Sequence, residues 1–271
     1  MSALGLVHGM PNADYHGLHA MSASGLKKMA RSPAHFFGAM LDPARPVSEP
    51  TPAMRAGTLA HCAILEPDEL DARYVVKPEG VDLRTKDGKA WQAGVKTGME
   101  VITADQRLTA IRQSAAVRAL PEVFDLLGNG KPEVSAFWSD RITGELCKCR
   151  PDWVTWLDEG VILVDIKTAQ DASPAGFAKA VANYRYHGQA AWYSRGFELA
   201  SGLRVLGFVF AVVESDYPHA AAAYMLTDED MERAEADNRR LLDVYAACKR
   251  DNAWPGYLST ITQLTLPPWA F

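Results

Sequence analysis

The chain has 271 residues, with 28 Lys and Arg against 33 Asp and Glu for a net charge of −5, 48% hydrophobic residues and four cysteines. That composition is globular and excludes collagen-like, low-complexity and wholly disordered classes. Apolar runs such as residues 205–213 fall short of the roughly 18 residues of a membrane-spanning helix, the first residues carry no basic-then-apolar leader, and Cys62, Cys147, Cys149 and Cys248 are too few for a disulfide framework, so the expectation is a soluble, cytoplasmic protein with reduced thiols and no membrane partner.

Residues 1–21, with His8, His16 and His19 among Gly, Pro and Asn, show no period and predict an irregular arm. Ser22 and Ser24 precede Leu26, Met29 and Ala30 at helical spacing, which predicts a short helix from about Ser24, and Pro33 opens a second turn through His35, Phe36, Phe37 and Met40. The proline-rich stretch 42–52 predicts a loop, and residues 55–66 a buried helix that stops before Pro67. Residues 74–100 have no readable period, whereas 104–120 have helical spacing, so 22–130 read as mainly helical. Beyond Pro132 the period changes to two: 133–138, 145–150, 153–157 and 161–167, separated by turns at Thr143-Gly144 and Asp158-Glu159-Gly160, predict a run of antiparallel strands. Residues 174–199 lack an internal proline and predict one long helix packed on that sheet; 205–213 and 221–226 predict strands; Thr227 followed by three acids caps a helix reaching about Arg250. The expectation is a single domain over 1–271 with its sheet-and-helix core in 131–271, a mixed α/β (α+β) sheet flanked by helices.

The sharpest chemical feature is Arg150-Pro151-Asp152 followed, after twelve residues, by Asp165-Ile166-Lys167. On a strand, Asp165 and Lys167 face one side and Ile166 the other, and a hairpin turning at 158–160 brings Asp152 beside Asp165. Two carboxylates so placed suit a hard cation such as Mg²⁺, or Mn²⁺, with the lysine free to orient or deprotonate a water. Taken alone, the same residues are equally an Asp-Lys surface pair. His61, on an otherwise apolar helix, needs a partner, either a backbone carbonyl or a metal. Gln189 and Tyr193, four apart, share a helix face that is either core or site. Cys147 and Cys149 lack the second pair a zinc site requires.

Together the order His61, Pro151-Asp152, Asp165-Ile166-Lys167, Gln189 and Tyr193 resembles the PD-(D/E)XK nuclease superfamily in its RecB-like branch. The match is most specific to the RecE-type (exodeoxyribonuclease VIII) catalytic domain, through Asp-Tyr-His at 14–16, Gly-Thr-Leu-Ala-His-Cys at 57–62, Leu-Glu-Pro at 65–67, Cys-Lys-Cys-Arg-Pro-Asp at 147–152, Asp-Ile-Lys-Thr at 165–168, Tyr-Arg-Tyr-His-Gly-Gln at 184–189 and Leu-Pro-Pro-Trp at 266–269. This resemblance implies a restriction-endonuclease-like core and a 5′-to-3′ exonuclease on double-stranded DNA ends. It also implies 3′ overhangs left for a phage-type single-strand annealing protein, and a homo-oligomeric ring, trimer or tetramer. It implies metal ligation by His61, Asp152, Asp165 and the Ile166 carbonyl, catalysis by Lys167, and positioning of the scissile strand by Gln189 and Tyr193. Glu133 is a further candidate, for a second metal. Ser22 or Ser24 with Lys27 and Lys28, at a helix start, suit a terminal 5′-phosphate, and Lys27, Lys28, Arg31, Arg150 and Arg185 are candidates for a basic DNA channel. The branch that carries an iron-sulfur cluster needs three cysteines near the C-terminus, and only Cys248 follows the motifs, so no cluster is expected. The rival readings are an endonuclease or structure-specific nuclease of the same fold, and a non-catalytic DNA-binding protein.

Overall fold

The structure, a computed structural model, describes residues 4–46 and 49–268; Trp269 of the terminal Leu-Pro-Pro-Trp motif lies outside them. The first segment is not an irregular arm. Strand β1 (Gly5–Val7) pairs antiparallel with a later strand, and α1 (Asn12–Gly17) follows. The lack of period hid a three-residue strand whose partner lies some 130 residues on. Helix α2 (Ala23–Arg31) is capped by the Ser22 side chain, and Ser32 caps α3 (Pro33–Phe36), which runs into a π-helical turn at Phe37–Leu41. Helix α4 (Pro52–Leu65), with Thr51 as cap and Pro52 in its first turn, buries Leu59, Cys62, Ala63, Ile64 and Leu65.

After α5 (Leu70–Arg73), the unreadable stretch resolves into β2 (Tyr74–Val76), α6 (Lys86–Ala93) and the start of β3 (Glu100–Ile102), with β2 and β3 parallel. Strands of three residues are too short to print a period. Helix α7 (Ala104–Arg118) carries a full capping box, Thr103 with Gln106, and α8 (Pro121–Gly128) leads to β4 (Gly130–Pro132).

Strands β5 (Ser135–Ser139), β6 (Leu146–Cys149), β7 (Trp153–Leu157) and β8 (Gly160–Ala169) match the period-two segments, but they do not form one ladder. The order β1-β5-β6 makes one sheet, and β4 and β7 go to another. The chain crosses between sheets at two places: Glu133, held at φ 48°, and Pro151, which has no N–H to give a ladder.

The segment predicted as one long helix is two, α9 (Pro174–Tyr184) and α10 (Tyr186–Ser201). They are divided at Arg185, whose backbone is left-handed (φ 56°, ψ 40°) and whose guanidinium meets Asp237 at 2.5 Å. No proline or glycine stands at this break; the residue that makes it, Arg185, is tied to α11 through Asp237. Strands β9 (Val205–Glu214) and β10 (Ala221–Tyr224) complete a sheet ordered β10-β9-β8-β7-β4, in which only β8 and β9 run parallel, and α11 (Asp228–Asp251) follows.

The large sheet is buried on both faces. Val154, Val161, Leu163, Phe208, Phe210 and Val212 meet α2, α9, α10 and α11 on one side. Val164, Ile166, Val209, Ala211 and Val213 meet α4, α7 and α8 on the other. Ile166 thus anchors β8 in one core while its neighbours Asp165 and Lys167 face the other. Among the described residues, no helix is long and apolar enough to cross a membrane.

Candidate active site

Asp165 and Lys167 project from β8 beneath α10. Asp165 is 1% exposed. The Gln189 side-chain amide donates to its Oδ1 at 2.6 Å, and its Oδ2 lies against the Lys167 ammonium without a donor aligned on it. Asp152 stands just before β7, where the register places Trp153 opposite Val164; its Oδ2 accepts the Ile166 N–H at 2.8 Å. His61 comes from α4, its Nδ1 3.6 Å from the same Oδ2. With 35% of its side chain exposed, His61 is not a core histidine. Four elements therefore bring His61, Asp152, Asp165, Lys167 and Gln189 to one point.

The electrostatics follow from burial. Desolvation, reinforced by the charge of Asp152, pushes the Asp165 carboxyl up to about 6, against the opposing pull of Lys167 and His61. Burial alone would lower Lys167, but Asp165 and Asp152 outweigh it and raise the ammonium above its ordinary value. Lys167 is therefore a charged group here, and its nitrogen also sits 4.6 Å from the centre of the Tyr186 ring. Tyr186 escaped the sequence-based expectation, although it lies three residues before Gln189 on the same helix, a spacing that could have pointed to it.

Tyr193 is half-buried, edge-on to Phe208. Burial, then the charges of Tyr15, Asp165, Cys149 and Asp152, keep its phenol protonated. Glu133 donates its backbone N–H to the Asp152 carbonyl at 3.0 Å, while its carboxylate turns to Arg150 at 3.7 Å.

Arg150 is not part of an open basic channel. It is 9% exposed; its guanidinium bonds Ser135 Oγ at 2.9 Å and the Met10 carbonyl at 3.0 Å and lies 4.1 Å from the centre of the Tyr15 ring. Lys148 joins it, donating to the carbonyls of Tyr15 and Leu18 at 2.7 Å each. These two cations fasten the N-terminal segment to β6, which gives Asp-Tyr-His at 14–16 a structural task. Of the other basic candidates, Arg185 is paired with Asp237, and Arg31 is exposed beside the Tyr257 hydroxyl at 3.4 Å. Lys27 feels partial burial and then the charges of Lys28, Lys167 and Arg185, all of which depress its pKa. Ser22 caps α2 through the Gly25 N–H, and Ser24 is exposed in the first turn with its hydroxyl 2.9 Å from that of Ser22.

The donor set of two carboxylates and one imidazole, with a buried carboxylate oxygen lacking an aligned donor, fits a hard divalent cation. Among the described residues no three such side chains already form a closed cage; the Ile166 N–H, Gln189 and Lys167 draw the carboxylates to themselves instead.

The profile of a family described as "PDDEXK-like domain of unknown function (DUF3799)" matches residues 22–264. The chain belongs to this PDDEXK-like family. Its fold agrees: a crystal structure described as a "Putative exonuclease" from Eubacterium rectale is similar over 96% of this chain and 97% of its own, with a TM-score of 0.60 and 14% identity. At that identity the likeness establishes the fold of the PDDEXK-like chain and nothing finer. Two other structures, described as SSO0001 (TM-score 0.29, 19% identity, 51% of this chain and 67% of its own) and VC1899 from Vibrio cholerae (0.24, 12%, 90% and 57%), are too distant to add to it. No curated protein matches the chain. The PDDEXK-like family places the chain in the PD-(D/E)XK nuclease superfamily.

Proposed function

We propose that the protein is a metal-dependent nuclease, specifically an exodeoxyribonuclease that digests the 5′-ended strand of duplex DNA and leaves 3′ overhangs. The observation that carries the hydrolytic part is the convergence of His61, Asp152, Asp165, Lys167 and Gln189 at the end of one β-hairpin. A buried Asp165–Lys167 pair beside Asp152 and the half-exposed His61 favours catalysis over a binding-only role.

His61, Asp152, Asp165 and the Ile166 carbonyl would hold Mg²⁺ or Mn²⁺, which supplies Lewis acidity at the phosphate and a water of lowered pKa. Gln189 fixes the rotamer of Asp165 from α10. Lys167, charged in the resting protein, would orient the attacking water beside the carboxylates that would hold the cation. Lys27, in the field of Lys167 and Arg185, extends positive charge toward α2, where Ser22, Ser24 and Lys28 suit a terminal 5′-phosphate. The polarity, the ring-shaped homo-oligomer and the annealing partner rest on the motif resemblance to the RecE type.

End-labelled linear duplex, incubated with Mg²⁺ or with EDTA beside a covalently closed circle, tests the reading. Early release of 5′ label with the circle intact is expected. Cutting of the circle replaces the exonuclease with an endonuclease of the same fold, and no cleavage with any divalent metal refutes the nuclease.

A further inference from the structure

Between β2 and β3 the chain makes an excursion, residues 77–99, that contributes little to any core. It carries five cations, Lys77, Arg84, Lys86, Lys89 and Lys96, against three carboxylates, Glu79, Asp82 and Asp87, in a chain whose net charge is −5. The local balance is inverted. Arg84 closes on Asp82 (Nη2 to Oδ2 2.7 Å) and Lys77 turns inward to the Val81 carbonyl. Lys86, Lys89 and Lys96 are exposed, and none has an ion-pair partner among the described residues. Lys86 and Lys89, three apart on α6, share one side of it.

This excursion is built, not slack. Thr85 caps α6 by accepting the Gly88 N–H at 3.1 Å and donates its hydroxyl to the Asp82 carbonyl at 2.7 Å. Gly88 packs so tightly on that turn that a Cβ there would collide with the backbone of Asp82 and Leu83. A segment with so few buried apolar groups gains nothing for the core by such order; what the order achieves is a fixed position for its lysines. The frame is α4: Leu59, Cys62 and Ala63 pack against Tyr74 of β2 and Ile102 of β3, so the helix that offers His61 to the site also carries the excursion. None of its side chains bonds or pairs with His61, Asp152, Asp165, Lys167 or Gln189 among the described residues, so it lies outside the catalytic cluster.

We propose that α6 forms a second nucleic-acid contact, a phosphate-binding face presented by Lys86 and Lys89 that grips duplex DNA outside the catalytic cluster. The proposal rests on the nuclease reading only for the identity of the polyanion. A charge face of this kind reads no sequence; it adds counterion release and therefore salt-dependent affinity.

The test is equilibrium binding of a fluorescent DNA duplex by anisotropy, in EDTA so that nothing is cut, across a KCl series. It compares the wild type, the pair Lys86→Gln with Lys89→Gln, and Gly88→Ala. The lysine pair should bind roughly tenfold more weakly at low salt, with the slope of log affinity against log salt reduced by about 2. Gly88→Ala keeps every charge but displaces the helix from its turn, and should weaken binding as well. Asp87→Asn, which removes a carboxylate between the lysines, should strengthen it. An unchanged slope in the lysine pair, with circular dichroism showing an intact fold, overturns the proposal, as does a wild type that binds no duplex at any salt. A wild type that binds but never cleaves with any metal refutes the nuclease reading instead and leaves the lysine comparison decisive.

Discussion

Asp165 gives the candidate site a measurable thermodynamic signature without any substrate. An ordinary aspartate titrates near 3.8; burial, with Asp152 nearby, moves this one to about 6 in the folded protein. Because the folded-state value lies above the unfolded one, the folded protein binds more protons between those two values. Its stability must fall as pH rises through that window and level off above pH 6. Raising a carboxyl from 3.8 to about 6 is worth about 3 kcal/mol in full, of which about 1–2 kcal/mol falls between pH 5 and 7.5, since the rest has already been lost by pH 5. His16 works in the opposite sense: burial, then Lys148 and Arg150, lower its pKa, so its contribution grows as pH rises toward 6.5.

The assay is urea unfolding in EDTA, followed by tryptophan fluorescence, at pH 5 and 7.5, for wild type and Asp165→Asn. The substitution deprives Lys167 of its nearest counter-charge, a cost that is constant while the ammonium stays charged, so only the pH dependence is compared. His16 contributes equally to both proteins and cancels. The wild type should lose about 1–2 kcal/mol more than the variant between the two pH values. Identical pH dependence would show that Asp165 does not titrate there and would refute the account of its burial. At pH 7.5, Mg²⁺ should then stabilise the wild type but not Asp165→Asn, since a ligand of the native state alone adds stability by mass action; an equal gain in both would place the cation elsewhere.

Asp165→Ala should abolish metal-dependent cleavage with the circular dichroism spectrum unchanged, and persistent cleavage would remove Asp165 from the site. Lys167→Ala should lose turnover while duplex affinity in EDTA is retained; a parallel loss of affinity would make Lys167 a phosphate contact alone. Gln189→Ala removes the donor to a buried carboxylate and should cut kcat by about 10- to 100-fold, equivalent to roughly 1.4–2.8 kcal/mol, with KM for duplex little changed. Arg150→Ala strips several bonds from the N-terminal segment and should destabilise the fold by about 2–4 kcal/mol, with residues 5–18 exchanging amide hydrogens early; full protection there would deny Arg150 its fastening role.

What was legible in the sequence divides along physical lines. Signals carried by covalent neighbours were readable: the caps Ser22 and Thr227, the period-two strands, and the alternation that sets Asp165 and Lys167 opposite Ile166. Signals carried by distant partners were not. The split of the strands between two sheets turns on Glu133 and Pro151, the break at Arg185 on Asp237 some fifty residues away, and β1 on its pairing with β5. The same division separates the basic residues. Charge on a sequence is only a count, and Arg150 and Lys148 look like Lys86 and Lys89 until the fold shows the first pair consumed by backbone carbonyls and the second left free. In a chain of net charge −5 that distinction decides where a polyanion can approach. Two cations of the motif segments, Arg150 and Arg185, are already committed to the protein. On the proposed nuclease reading, Lys27 and Lys28 at α2 and Lys86 and Lys89 of α6 are among the exposed cations left to meet DNA. Neutralising either set should then lower affinity in proportion to its charges while leaving the chemistry at Asp165 unchanged.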